Sequence, residues 1–221
     1  MTTRQTQRNG NFFKTALYAA ASGGMMGAVV FQIEGRTRMD RATLEAGLAE
    51  LPILQYEFIS TSELTFSDRI RHVCETECPM YGKTWACPPG VGSVEECRAR
   101  CLAFPEALLL TTVAEVRDIA DIEETLSTRA AHELVTRQAE QLLRAQGLET
   151  YVLSTEACTR CAHCTYPDAP CRHPDEMYPC TESHAIIVTD IAERYGIEFI
   201  TGNVVTWFSI LFFRERQTAL A

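Results

Sequence analysis

Two periodicities alternate along the chain. Leu44, Leu48 and Leu51 recur at helical spacing and stop at Pro52, predicting a short helix that leads into a strand over residues 53–59. Ser93 with Glu96 has the form of a capping box and starts a second helix. The Leu-, Thr- and Val-rich run at 107–116 follows it as a buried strand. The longest helical pattern spans 121–146, with Ile122, Leu126, Ala130, Leu134 and Leu142 on or near one stripe and Gly147 placed to close it. A strand over 149–154, a helix over 183–195 stopped by Gly196, and strands over 197–201 and 204–213 complete the pattern. Such alternation predicts an α/β or α+β fold: a single layered domain with a mixed sheet flanked by helices and two cysteine-rich metal-binding loops.

The first 38 residues do not share this pattern. A polar, basic stretch to Lys14 gives way to an uncharged run from Thr15 to Ile33, interrupted by Ser22, Gly23, Gly24, Gly27 and Gln32. Its apolarity is marginal against the roughly 20 residues a spanning helix needs. Residues 1–38 are therefore expected to be an extension, disordered or at most a weak anchor, and 39–221 a cysteine-rich metal-binding domain.

Composition narrows the chemistry. With 46% hydrophobic residues the chain can build a packed core. A net charge of −9, with two lysines among 20 basic residues, repels a phosphate backbone, so no nucleic acid partner is expected. Ten cysteines in 221 residues are too sparse for a small disulfide scaffold, and they cluster with Pro, His and Gly as ligand loops do. A reducing cytoplasm fits this usage; an even count is also what an extracellular disulfide protein carries.

The second cysteine loop reads Cys158-Thr-Arg-Cys161-Ala-His-Cys164, then Cys171-Arg-His-Pro. Three thiols at successive spacings of three can wrap one compact cluster, with a fourth from the adjoining loop. Zinc more often takes two separated CxxC pairs, so the triple favours iron–sulfur. In the first loop, Cys74, Cys78 and Cys87 lie near one another in sequence without a local fourth. Cys97, Cys101 or Cys180 could supply it, or the position could stay open to a substrate. Cys97 and Cys101 are four apart on one face of the capped helix, where core burial is the simpler reading. Cys180 precedes the helix predicted over 183–195, whose dipole would lower its pKa. His163 and His173 could ligate or hydrogen-bond a sulfur, Lys83, Arg160 and Arg172 could offset negative charge, and Tyr81 and Trp85 could shield the first site.

The YGKxW segment ending in Cys87-Pro-Pro, the CxxCxxC with its downstream CRHP, and Met177-Tyr-Pro-Cys-Thr-Glu-Ser-His184 together resemble the predicted metal-binding proteins grouped as domain of unknown function 2284. The resemblance runs from Ile53 to the C-terminus and implies a cytoplasmic metal-binding protein of bacterial or archaeal type, with no particular reaction. It carries Cys74, Cys78, Cys87, Cys158, Cys161, Cys164 and Cys171 over as ligands. Ala185 stands where that family usually has glycine, a conservative change if the position is helical.

These readings converge on one or two [4Fe-4S] clusters in a redox or cluster-assisted reaction, with a redox partner protein or a small-molecule substrate. Zinc that merely stabilises the loops, and trafficking of a labile metal or cluster, are the alternatives. No nucleotide loop, nucleophile elbow or HExxH signature narrows the reaction, and whether the protein is an enzyme stays open.

Overall fold

The computed structural model describes residues 39–216. Five strands, β1 (Gln55–Ser60), β2 (Glu106–Glu115), β3 (Leu148–Leu153), β4 (Ile200–Thr201) and β5 (Val204–Glu215), form one sheet. Its order is β1-β2-β5-β3, with β4 folded back on β5, and each of these pairings is antiparallel. The fold is therefore α+β, and the sheet is antiparallel where a mixed one is expected. Strands β2 and β3 do run in the same direction, joined by a helical crossover. They leave a one-strand gap, which the C-terminal β5 fills in the opposite direction, so alternation along the chain produced no parallel neighbours.

The helices are α1 (Arg41–Leu48), α2 (Asp68–Thr76), α3 (Val94–Leu102), α4 (Ile122–Ser127), α5 (Arg129–Ala145) and α6 (Val188–Tyr195). Alternation along β5 sends Phe208, Ile210 and Phe212 to one face, where Leu109, Phe104, Cys101 and Ile191 meet them. Leu211 and Phe213 point to the other, against Leu108, Leu110, Leu44, Leu48 and Leu143. The sheet thus has an apolar layer on both faces, and each fully buried Leu or Phe contributes roughly 1.5–3 kcal/mol.

The long pattern over 121–146 divides at Thr128, whose hydroxyl donates to the Thr125 carbonyl and accepts from Trp207 Nε1 at 2.8 Å. Its expected core stripe is also displaced: Ile122, Leu126 and Leu134 are exposed, while His132, Val135, Thr136, Ala139, Glu140 and Leu143 face inward. Polar residues win the inward face because the sheet offers them partners. Thr112 Oγ1 lies 2.9 Å from His132 Nδ1, and Ser209 Oγ lies 2.7 Å from Nε2.

The helix expected over 183–195 also begins later. Residues Glu182–His184 make a single 3-10 turn, Ala185 is left-handed at φ 60°, and α6 starts only at Val188, closing on left-handed Gly196 as expected. Among the described residues no helix is long and apolar enough to cross a membrane. The extension expected over 1–38 lies outside the described residues.

Candidate metal centre

Helix α2, absent from the periodicity, carries the first thiol. Its sequence is mostly polar, and its inward face holds Arg71 and Cys74 in place of aliphatic residues. Its one sequence signal is Ser67, which accepts from Arg69 N as N-cap. Cys78 follows in an exposed turn, and Cys87 lies buried at the end of a tightly folded loop. Gly82 N donates to Pro88 O at 2.8 Å and Cys87 N to Thr84 O at 3.2 Å. Gly90 presses onto this loop: a Cβ there would stand 2.8 Å from Thr84 O and 3.1 Å from Cys87 O, so a side chain is excluded.

Cys180 reaches the same place from the other side of the chain. The end of β3 holds it, since Ser154 N donates to Pro179 O at 2.8 Å and Thr181 N to Ser154 O at 3.3 Å. Cys74, Cys78, Cys87 and Cys180 together line one cavity of about 280 Å3. Of the three cysteines open as a fourth member of this group, only Cys180 lies on that wall. Cys97 and Cys101 are completely buried on α3, and Cys101 belongs to the sheet-packed core.

Cys158, Cys161, Cys164 and Cys171 line a second, narrower cleft of about 20 Å3 together with His173, Arg160 and Trp85. The segment Thr84–Pro88 is the partition, since Thr84, Trp85 and Ala86 face the cleft while Cys87 and Pro88 face the cavity. The groups are neighbours electrostatically, because Cys87 responds to Cys78 of its own group and to Cys158 and Cys164 of the other. In each group at least one thiol accepts a backbone N–H: Ser183 N lies 3.3 Å from Cys180 Sγ, and His173 N lies 3.4 Å from Cys171 Sγ. Such donors orient thiolates and tune what they hold.

Burial dominates the electrostatics. Desolvation pushes Cys74 up to about 11, with Cys78 and Glu182 adding to it. Cys87 and Cys158 are raised by burial as well. Cys180, expected to be acidified by a helix dipole, is instead pushed well above the usual thiol range by burial and then by Glu182. A three-residue turn follows it, so no macrodipole is aimed at its sulfur. Cys74, Cys87, Cys158 and Cys180 therefore resist ionisation unless a cation compensates them.

One compensating charge is already present. Arg71 is buried, and its guanidinium donates to Gly92 O at 2.8 Å, Ser183 O at 2.6 Å and Cys97 Sγ at 3.4 Å. Among the described residues it has no carboxylate partner, and its positive charge favours the Cys74 thiolate. Arg71 thereby ties together α2, the loop after Cys87 and the turn after Cys180. Periodicity missed it because an arginine on an inward face carries no hydrophobic signal. Thr84, buried in the partition with its hydroxyl directed at the Cys87 thiol, was likewise missed.

The other residues singled out in the sequence are placed as follows. Arg160 pairs with Glu176, and Arg172 donates to His163 O at 3.0 Å. Lys83 and His163 line a further cavity together with Cys158, Cys161 and Cys164. Tyr81 lies on the wall of the first cavity and Trp85 on that of the second cleft. All ten cysteines are unpaired with one another, and no three His, Cys, Asp or Glu side chains among the described residues converge on a single-ion site.

No curated protein and no solved structure matches the chain. A family model described as a predicted metal-binding protein (DUF2284) matches residues 57–213, which contain α2, both thiol groups and three complete strands together with most of β1 and β5, and the chain belongs to that family.

Proposed function

We propose that this metal-binding protein is an iron–sulfur protein with two [4Fe-4S] clusters, one on Cys74, Cys78, Cys87 and Cys180 and the other on Cys158, Cys161, Cys164 and Cys171. The observation that carries this reading is the division of eight cysteines into two sets of four on opposite sides of Thr84–Pro88. Four thiolates is the ligand number of a [4Fe-4S] cluster. The donor chemistry fits in other respects too. Buried Arg71 opposes the net negative charge of a thiolate-bound cluster, the Thr84 hydroxyl favours the Cys87 thiolate, and a backbone N–H reaches one sulfur of each set. When bound, such clusters supply one-electron transfer.

The chain's own residues set the environment. The first set lines a preformed cavity, while the second lines a narrow cleft of about 20 Å3, where a cluster would be held as the loop folds around it. In this reading Cys74, Cys78, Cys87 and Cys180 would hold the first cluster, which would supply one-electron transfer.

Anaerobic purification followed by iron and acid-labile sulfide analysis tests it. About eight of each per chain are expected, with a paramagnetic signal on reduction. A colourless protein holding zinc without sulfide would overturn the proposal in favour of metal-stabilised loops. Iron lost readily to a mild chelator, with the fold intact, would overturn a resident role in favour of trafficking. Cys180→Ser should roughly halve the iron content; unchanged iron and an unchanged spectrum would remove Cys180 as a ligand.

A further inference from the structure

A third cavity, of about 590 Å3, opens beside the second thiol group, with Cys171 on its wall. Its volume is in the range of small-molecule sites, and its lining is largely apolar, including Trp85, Val91 and Met177. Two polar groups stand out on that lining: the half-buried Arg100 guanidinium and the Tyr151 hydroxyl. Asp168, also on the wall, is solvent-exposed, so its charge is screened where that of Arg100 is not.

The hydrogen bonds of Arg100 account for only part of its fork. Nη1 reaches Tyr151 Oη at 3.2 Å and His184 Nε2 at 3.3 Å, and Nη2 donates to Val91 O at 3.1 Å. Of the five donors a guanidinium carries, Nε–H and one Nη2–H have no partner among the described residues, and no carboxylate there pairs with it. Two free donors match a bidentate carboxylate.

Arg100 is also held rigidly. Ser183 Oγ donates to Cys180 O at 2.6 Å, which leaves it accepting from His184 Nδ1 at 3.0 Å. Nε2 of His184 is then the acceptor for Tyr151 Oη at 2.5 Å. Donors therefore run in one sense, from Arg100 through Tyr151, His184 and Ser183 to the backbone at Cys180. The fork is fixed in place before any ligand arrives, which lowers the cost of binding.

We infer that this cavity binds a small carboxylate with an apolar body, its carboxylate on Arg100 and its body against Trp85, Val91 and Met177. A single arginine in an apolar lining suits a monoanion, and the chain's net charge of −9 disfavours polyanions. The site goes beyond the cluster reading and depends only on the fold.

Calorimetric titration of the anaerobically purified full chain with 3-phenylpropanoate, its neutral amide and 3-phenylpropylamine is the test. The acid should bind saturably at one site, the amide about tenfold or more weakly, and the amine not at all. Arg100→Gln should erase the preference for acid over amide. Ala169→Trp, placed on the exposed wall, should block the acid while leaving Arg100 in position. Equal binding of acid and amide, acid binding indifferent to Ala169→Trp, or no saturable binding in the millimolar range would each overturn the inference. Phenyl phosphate binding more tightly than the acid would overturn the carboxylate assignment. Zinc in place of iron would leave these outcomes unchanged, so this inference and the cluster reading fail separately.

Discussion

Replacing Arg71 by methionine isolates what holds the first thiol group together. The side chain is only 7% exposed, and its guanidinium spans three segments through Gly92 O, Ser183 O and Cys97 Sγ. Methionine keeps the stem and leaves the buried Ser183 carbonyl and the half-buried Gly92 carbonyl without this donor, at about 1–3 kcal/mol for the first and less for the second. Part of this is returned, because a buried charge no longer has to be desolvated. The net expectation is a loss of about 3 kcal/mol in urea unfolding followed by circular dichroism. Arg71→Lys should recover little, since one ammonium cannot span the carbonyls that a planar fork does. Arg69→Met, on the exposed side of the same helix, should stay within about 0.5 kcal/mol of the parent and controls for helix propensity. Metal analysis gives a second readout: Arg71→Met should deplete the Cys74 group selectively, because no Arg71 contact reaches the Cys158 loop. A loss below about 1 kcal/mol, or unchanged metal content in both groups, would refute the assignment of Arg71 as the tie.

Three further predictions follow from single positions. Burial holds His132 down to about 4, so as pH falls the unfolded chain takes up a proton first. Its contribution is therefore complete above about 6.5 and lost toward 4, amounting to about 2 kcal/mol between pH 7 and 5. The stability of the parent should fall more steeply than that of His132→Gln over that interval, and parallel curves would rule out a buried neutral imidazole. Gly90→Ala drives a Cβ to within 2.8 Å of the Thr84 backbone oxygen, which cannot swing away. A loss of about 1–3 kcal/mol is expected, with lower metal content in both groups because both use the partition; a neutral outcome in unfolding experiments would show that the loop yields. Ala185 has a left-handed backbone, where glycine is at ease, so Ala185→Gly should leave thermal stability within about 1 kcal/mol although it removes a fully buried methyl. Ala185→Val should lose more than about 2 kcal/mol, and equal stability of the two variants would contradict the assigned conformation.

Elements stabilised by their own pattern were legible in the sequence. The Ser93–Glu96 capping box closes in both directions, with Ser93 N donating to Glu96 Oε2 at 2.8 Å and Glu96 N to Ser93 Oγ at 3.2 Å. Strand β5 and the glycine stop at Gly196 also fall where alternation and turn chemistry place them. The misreading of α2 and α5 has one cause, the use of polar residues on buried faces. Helix α2 turns Arg71 inward, and α5 turns His132 and Thr136 inward, so a search for apolar stripes overlooks the first and selects the wrong face of the second. Ala185 reads as helical from its neighbours, and only the structure places it in the left-handed region. Strand order was out of reach for another reason: nothing local in β2 or β3 specifies that a later segment will insert between them.

The same distinction applies to the thiols. Spacing along the chain grouped Cys158, Cys161, Cys164 and Cys171 because one loop carries all four, and it left the first group a member short because that member arrives from the far end of β3. Cys180 comes to the Cys74 wall through backbone pairing with Ser154 and through Arg71, which bonds the turn behind it. In the two-cluster proposal, a fourth donor delivered by tertiary structure makes the first site sensitive to the whole fold, whereas the second depends chiefly on one loop. Partial unfolding should therefore empty the Cys74 group first. In mild urea, loss of its metal should coincide with loss of the Arg71 hydrogen bonds, while the Cys158 group persists until its own loop opens.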